Sequence, residues 1–178
     1  HKSELFVLQS FFYFFMNFIK KYDFYIKLFV IVLSIIQPFI LLSICGELWS
    51  ISSYWRTPLQ PMFIIINAAT SYFFFSTDKW LIPSIFLLLL TAFSIDLYPT
   101  THNVFAGLFF LSCNYPLLNL KRFRFFGILY LMSIFVLLLS GMLWFEIYCV
   151  LILGSYHLTI LLYKHHLDKL REEKHHKL

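Results

Sequence analysis

Charge is what this sequence has least of. Charged residues make up 13% of its 178 positions, about half the roughly 25% usual in water-soluble domains. Hydrophobic residues make up 60% and aromatic residues 21%. Such a chain cannot cover a globular surface with polar groups, which excludes a water-soluble domain and points to a bilayer. Paired cysteines are missing too: Cys45, Cys113 and Cys149 form no Cys-x-x-Cys pattern, so neither a zinc ribbon nor a dithiol redox site is indicated, and buried, reduced thiols are expected. There is no nucleophile elbow, no internal repeat and no low-complexity linker, which leaves no motif that dictates a reaction. No cleavable signal peptide is recognisable, and a start at His1 rather than Met points to a few further N-terminal residues, so targeting is assigned to the first span. The net charge of +5 does not signal nucleic acid, because the bases sit beside apolar runs rather than along a stripe of readout residues.

What is present is a succession of apolar runs. The expected fold is all-α, a polytopic membrane bundle of six transmembrane helices plus an N-terminal interfacial helix. In residues 1–23 the apolar run Leu5–Ile19 would cover only about 22 Å of a hydrocarbon core about 30 Å thick. It is read as an amphipathic helix lying on the cytoplasmic face, with a seventh, tilted span as the alternative. Spans are expected at Phe24–Ile44, Leu59–Thr77, Trp80–Ile95, His102–Leu118, Phe125–Leu143 and Trp144–Tyr163. The bundle then occupies residues 24–163, and a charged cytoplasmic tail follows at 164–178. Gln37-Pro38 should kink the first span. The small and polar stretch Asn67-Ala68-Ala69-Thr70-Ser71 should let helices approach and hydrogen-bond, as should Ala106-Gly107 and Gly154-Ser155. In the tail, His165-His166 and His175-His176 are neighbours that point apart on a helix, so they read as a solvated face.

Charge placement supports this topology. With the N-terminus inside, Lys2, Lys20, Lys21, Lys27, Lys79, Lys121, Arg122, Arg124, Lys164, Lys169, Arg171, Lys174 and Lys177 fall on the cytoplasmic side and Arg56 alone on the other. That asymmetry is a strong positive-inside signal. It implies an integral protein of a bacterial inner membrane with both termini in the cytoplasm.

The longest polar interruption, Glu47–Pro61, lies on the outer side. There Glu47, Ser50, Ser52, Tyr54 and Arg56 are expected to meet Asp96, His102 and Glu146, each from the end of a different span. Carboxylates beside an imidazole can hold a metal, poise a base or form an ion-pair network. The network around Arg56 is the expectation, with Arg56→Ala destabilising the bundle. A serine among Ser50, Ser52 and Ser53 served by His102 is the nucleophilic alternative. Within the spans, Asn67, Asn114 and His157 are the polar candidates, His157 as a neutral imidazole hydrogen-bonded across an interface. No catalytic residue, metal or cofactor is assigned.

The segment Ser50-Ile51-Ser52-Ser53-Tyr54-Trp55-Arg56-Thr57-Pro58 resembles the Ser-Ile-Ser-x-Tyr-Tyr-x-Thr loop of small bacterial six-span membrane proteins of unknown function, which distantly resemble the DRAM/Sfk-type membrane proteins. Pro99, His102 and Leu108-Phe109-Phe110 are similar to that group's fourth span, and Trp144-Phe145-Glu146 with Gly154 to its sixth. The likeness covers roughly residues 24–162 and departs at Leu59-Gln60-Pro61, where the group often has Arg-Asp followed by an apolar residue. It implies a role connected with lipid. Composition and topology together suggest a non-enzymatic, lipid-interacting protein or accessory subunit whose partners are membrane lipids and other membrane subunits. The alternative is a lipid-modifying enzyme using His102 with Asp96 and Glu146.

Overall fold

Long apolar runs with few helix breakers fold as helices, and every regular element among the described residues is helical. The computed structural model describes residues 2–75 and 78–175, with side-chain surroundings from Tyr22 onward apart from positions 75, 78, 172, 174 and 175. His175, His176 and the bases Lys2, Lys20, Lys21, Lys174 and Lys177 therefore lie outside the described side chains.

The helices are α1 (Lys2–Cys45), α2 (Gln60–Phe75), α3 (Leu81–Ala92), α4 (Pro99–Asn119), α5 (Arg124–Leu131), α6 (Ser133–Ser140) and α7 (Met142–His175). A six-residue 3-10 segment, Ile51–Arg56, joins α1 to α2 and is called the cap below. Residues 2–23 are continuous with the first span in α1, and α7 runs through the join between the last span and the charged tail. Gly46, at φ +75°, ends α1 with its N–H on Leu42 O, a left-handed position that favours glycine.

Two boundaries differ from the sequence expectation. The turn expected at Trp144-Phe145-Glu146 falls instead at Gly141, whose φ of +86° breaks the chain in one residue. The fifth run is interrupted at Met132, between α5 and α6.

Among the described residues, three stretches are long and apolar enough to cross a membrane: Tyr22–Cys45, Lys121–Ser140 and Met142–Arg171. α2 and α3, with 16 and 12 residues, extend only about 24 and 18 Å. Outward faces throughout are apolar, as at Phe29, Tyr72, Leu111 and Leu138, with Leu139 as much as 85% exposed. Water would not tolerate so much contiguous apolar surface, whereas lipid would.

Neighbours in sequence are neighbours in space: α1 packs on α2, α2 on α3, α3 on α4 and α4 on α5, while α7 packs on α5, α6 and α1 and closes the ring. Ser71 and Ser84 bind α2 to α3 by a reciprocal exchange in which each hydroxyl donates to the other's carbonyl, at 2.7 and 2.8 Å. Thr70 reaches the other way, to Ser34 of α1 at 2.6 Å. The small, polar stretch of α2 thus engages both neighbours. Gly154 lets α7 approach α1 so closely that an added Cβ would lie 2.3 Å from Ile35 Cγ1. Gly107 does not behave this way: nothing lies within 4 Å of an added Cβ, so Ala106-Gly107 is not a close-packing point.

The bundle has two unlike poles. At one, Trp80 meets Tyr156, Arg122 donates to Tyr163 and lies over its ring, and Phe24 stacks on His165. This is the pole of the clustered bases. The other carries the cap, Asp96 and the first turns of α4 and α7.

Candidate functional site

The cap is held at its pole by bonds that satisfy a short segment's own polar groups. Ser50 caps it by accepting from Ser53 N at 3.2 Å, and the two hydroxyls lie 3.0 Å apart. The phenol of Tyr54 is fully buried and donates to Gly46 O at 2.7 Å. Burial raises its pKa above the ordinary value, which keeps it a donor. Thr57 Oγ1 donates back to Tyr54 O at 2.7 Å. One bond ties the cap to the last helix: Ile51 N–H donates to Glu146 Oε2, with Glu146 only 6% exposed.

All eight outer candidates therefore reach one pole, but they do not form one network. Glu47 Oε1 accepts from the Trp144 indole at 3.0 Å, Glu146 takes the backbone of Ile51, and among the described residues Arg56 pairs with Asp96 alone. The Arg56 and Asp96 side chains are 67% and 42% exposed, so the expectation that Arg56 anchors three carboxylates is corrected: its single partner is a solvated one. Exposed pairs contribute about 0–1 kcal/mol, and Arg56→Ala should accordingly lower stability by no more than about 1 kcal/mol in thermal unfolding in detergent. A larger loss would show that the guanidinium does more than this pair.

His102 is fully buried, with Nδ1 2.7 Å from Phe93 O and Nε2 without a partner among the described residues. The imidazole thus ties the first turn of α4 to the end of α3. Ser50 and Ser53 bond to each other rather than to His102, and no serine–histidine pair is found among the described residues. Nor do three or more His, Cys, Asp or Glu side chains gather closely enough there to hold a metal. Cys45, Cys113 and Cys149 are free thiols, the last two sharing the main core cluster with Tyr130.

Beside the cap lies a cleft of about 370 Å³ between α4 and α7. Its walls are apolar, chiefly Ala106, Gly107 and Phe110 of α4 and Phe145 of α7, and its polar rim is Ser50, Ser52, Asn103 and Glu146. α5 packs against both α4 and α7, whereas α6 lies on α7 beside a groove shared with Phe39 of α1.

The intramembrane candidates diverge. Asn114 donates to Phe110 O and Leu111 O of its own helix, at 3.3 and 3.2 Å. Asn67 lines two interior cavities. Among the described residues His157 has no hydrogen-bond partner at Nε2, and where an interface bond at that nitrogen is expected the ring instead contacts Phe73, Phe74, Trp80 and Tyr156, whose centroids lie 4.5–5.2 Å away. Of the other polar residues of the interior, Ser34 escaped the sequence reading, and Gln37 and Thr70 entered it only as a kink and a helix-packing position. Their signal was present as polar positions three residues apart, 34 and 37 on α1 and 67 and 70 on α2, which face one way on a helix.

No family model matches the chain, and no curated protein or solved structure shows significant similarity to it.

Proposed function

We propose that this is an integral inner-membrane protein of six crossings, with both termini cytoplasmic, that binds a membrane lipid without chemically changing it. The observation that carries this reading is the cleft between α4 and α7. Its volume of about 370 Å³ lies within the roughly 300–1,000 Å³ of ligand sites. It joins apolar walls to a polar rim, which suits an amphiphile whose tail lies along Phe110 and Leu111 and whose headgroup sits against Asn103 and Ser50. Among the described residues no Lys or Arg lines it, so a neutral or zwitterionic headgroup fits better than an anionic one. The likeness of the cap sequence to the loop of small bacterial six-span proteins, which distantly resemble the DRAM/Sfk-type proteins, agrees with a lipid role. The apolar outer faces serve the surrounding bilayer or the helices of a partner subunit.

Gly107 provides the test, because it lines the cleft and has open space where a side chain would project. Gly107→Phe should fill the cleft and leave the bundle intact, since replacing glycine within a helix gains up to about 1 kcal/mol of propensity. In native mass spectrometry from nanodiscs containing phosphatidylethanolamine and phosphatidylglycerol, wild type should retain one phosphatidylethanolamine that the variant loses. Equal retention at equal thermal stability would remove the cleft as the lipid site.

A further inference from the structure

Two small cavities continue inward from the cleft. The first, about 60 Å³, shares Ser52, Ala106, Phe110 and Glu146 with the cleft. The second, about 70 Å³, shares Gln37, Asn67, Leu87, Phe109 and Val150 with the first. Glu146 lies at the outer end and His157 lines the inner chamber. Both belong to one face of α7, with Val150, Leu153 and Gly154 between them, and eleven residues of helix separate them by about 16 Å. Beyond His157 the rings of Phe74, Trp80 and Tyr156 pack around the imidazole.

The walls of both cavities are mostly apolar, but a few polar side chains project into them where an apolar core would be expected. Ser34 and Gln37 from α1, and Asn67 and Thr70 from α2, line the inner chamber. Gln37 and His157 are 4% and 7% exposed, and their Nε2 atoms find no partner among the described residues. A buried polar atom left unpaired costs about 1–3 kcal/mol, whereas a water with two or more polar neighbours removes that cost. A water needs about 10–15 Å³ of such space, so each chamber has room for several.

We infer that these cavities form a hydrated track from the outer cleft to His157, occupied by water and accessible to small uncharged hydrogen-bonding solutes. Size and lining set the selectivity. An acyl chain does not fit chambers of 60–70 Å³, and a bare ion would exchange its hydration shell for uncharged side chains beyond Glu146. The track gives an imidazole on a membrane-crossing helix contact with the outer compartment, the arrangement by which intramembrane ionisable groups exchange with solvent. It goes beyond the lipid reading: a lipid in the cleft would cover the outer end of the track, whereas the chambers behind Glu146 and their water stay in place whether or not the cleft is filled.

Gln37 reports directly on the track, because its side-chain amide is always protonated and only Gln9 and Gln60 share its residue type. The full chain, labelled with ¹⁵N-glutamine, is placed in nanodiscs of chain-deuterated phosphatidylcholine, and magnetisation transfer from water to each side-chain amide is measured. Gln37→Met identifies the resonance. Transfer to Gln37 should come within about threefold of that to Gln60 if water occupies the inner chamber. Asn67→Leu, which conserves volume but removes a polar wall, should reduce the Gln37 signal several-fold and leave Gln60 unchanged. Absence of transfer to Gln37 in folded wild type would overturn the inference, as would a Gln37 signal unaffected by Asn67→Leu in a folded variant. Should Asn67→Leu fail to fold, Thr70→Val serves as the second blocking variant and is read in the same way.

Discussion

Replacing Glu146 with leucine should release the cap from α7 and destabilise the protein by about 1–3 kcal/mol, the cost of leaving the Ile51 N–H buried without an acceptor. That N–H donates to Glu146 Oε2. Relief from burying a carboxyl acts in the opposite direction, so the informative comparison is with Glu146→Gln. Glutamine keeps an acceptor oxygen of nearly the same reach and loses the acidic group. Glu146→Gln should therefore hold the Ile51 amide protected in hydrogen–deuterium exchange, whereas Glu146→Leu should expose it and lower the unfolding temperature. Equal exchange at Ile51 in the two variants would show that the cap is held by packing alone. Tyr54 and Trp55 are the packing residues to consider, since both are buried in the smaller core cluster with Leu41 and Phe63.

Gly154→Ala should destabilise the bundle by about 1–3 kcal/mol, as overpacking of a well-filled core does. The sign is diagnostic, because glycine to alanine inside a helix is otherwise favourable by about 0.5–1 kcal/mol. The new Cβ would lie 2.3 Å from Ile35 Cγ1 and 2.8 Å from Cδ1, and a β-branched side chain on a helix has little freedom to move aside. Ile35→Ala empties the space the new methyl needs. The double variant should therefore lose less than the sum of the two single losses, a coupling that denaturant titration in mixed micelles measures. Strict additivity would mean that α1 and α7 do not meet at this pair.

The sequence reveals those features that depend on residue type alone. Lys79, Lys121, Arg122 and Arg124 are legible as a basic pole because a membrane sorts charge by side, whatever the packing. The cap is legible because Ser50, Ser52, Ser53 and Thr57 interrupt an apolar chain. Thr70 and Ser71 show the same thing within a helix: small hydroxyl residues in an apolar run need partners, and Ser34 and Ser84 provide them.

Features that depend on which helix lies opposite are not legible. Gly107 and Gly154 look alike in sequence, yet one faces open space and the other Ile35. Counting charges at the outer pole makes Arg56 a hub, because counting cannot show that Glu47 turns to the Trp144 indole and Glu146 to a backbone amide. The turn before α7 is hidden for a different reason. Hydropathy is unbroken from Phe125 to Tyr163, so the first acidic residue, Glu146, attracts the boundary that Gly141 supplies. Met132, where α5 gives way to α6, carries no proline or glycine to announce a break.

The short helices make the six-crossing arrangement the claim most worth testing. α2 and α3, at 16 and 12 residues, are shorter than the ordinary span of about 20, so six crossings would require the bilayer to thin around them. The measurement is labelling of single cysteines by a membrane-impermeant maleimide in sealed vesicles of each orientation. The background is Cys45→Ser, which leaves only the buried Cys113 and Cys149, and the new thiols replace the exposed residues Trp49, Lys79, Leu97 and Lys121. Six crossings require positions 49 and 97 to label only from the outer side, and positions 79 and 121 only from the cytoplasmic side. Labelling of position 79 from the same side as position 97 would contradict it, showing that α2 and α3 enter and leave the bilayer through one face.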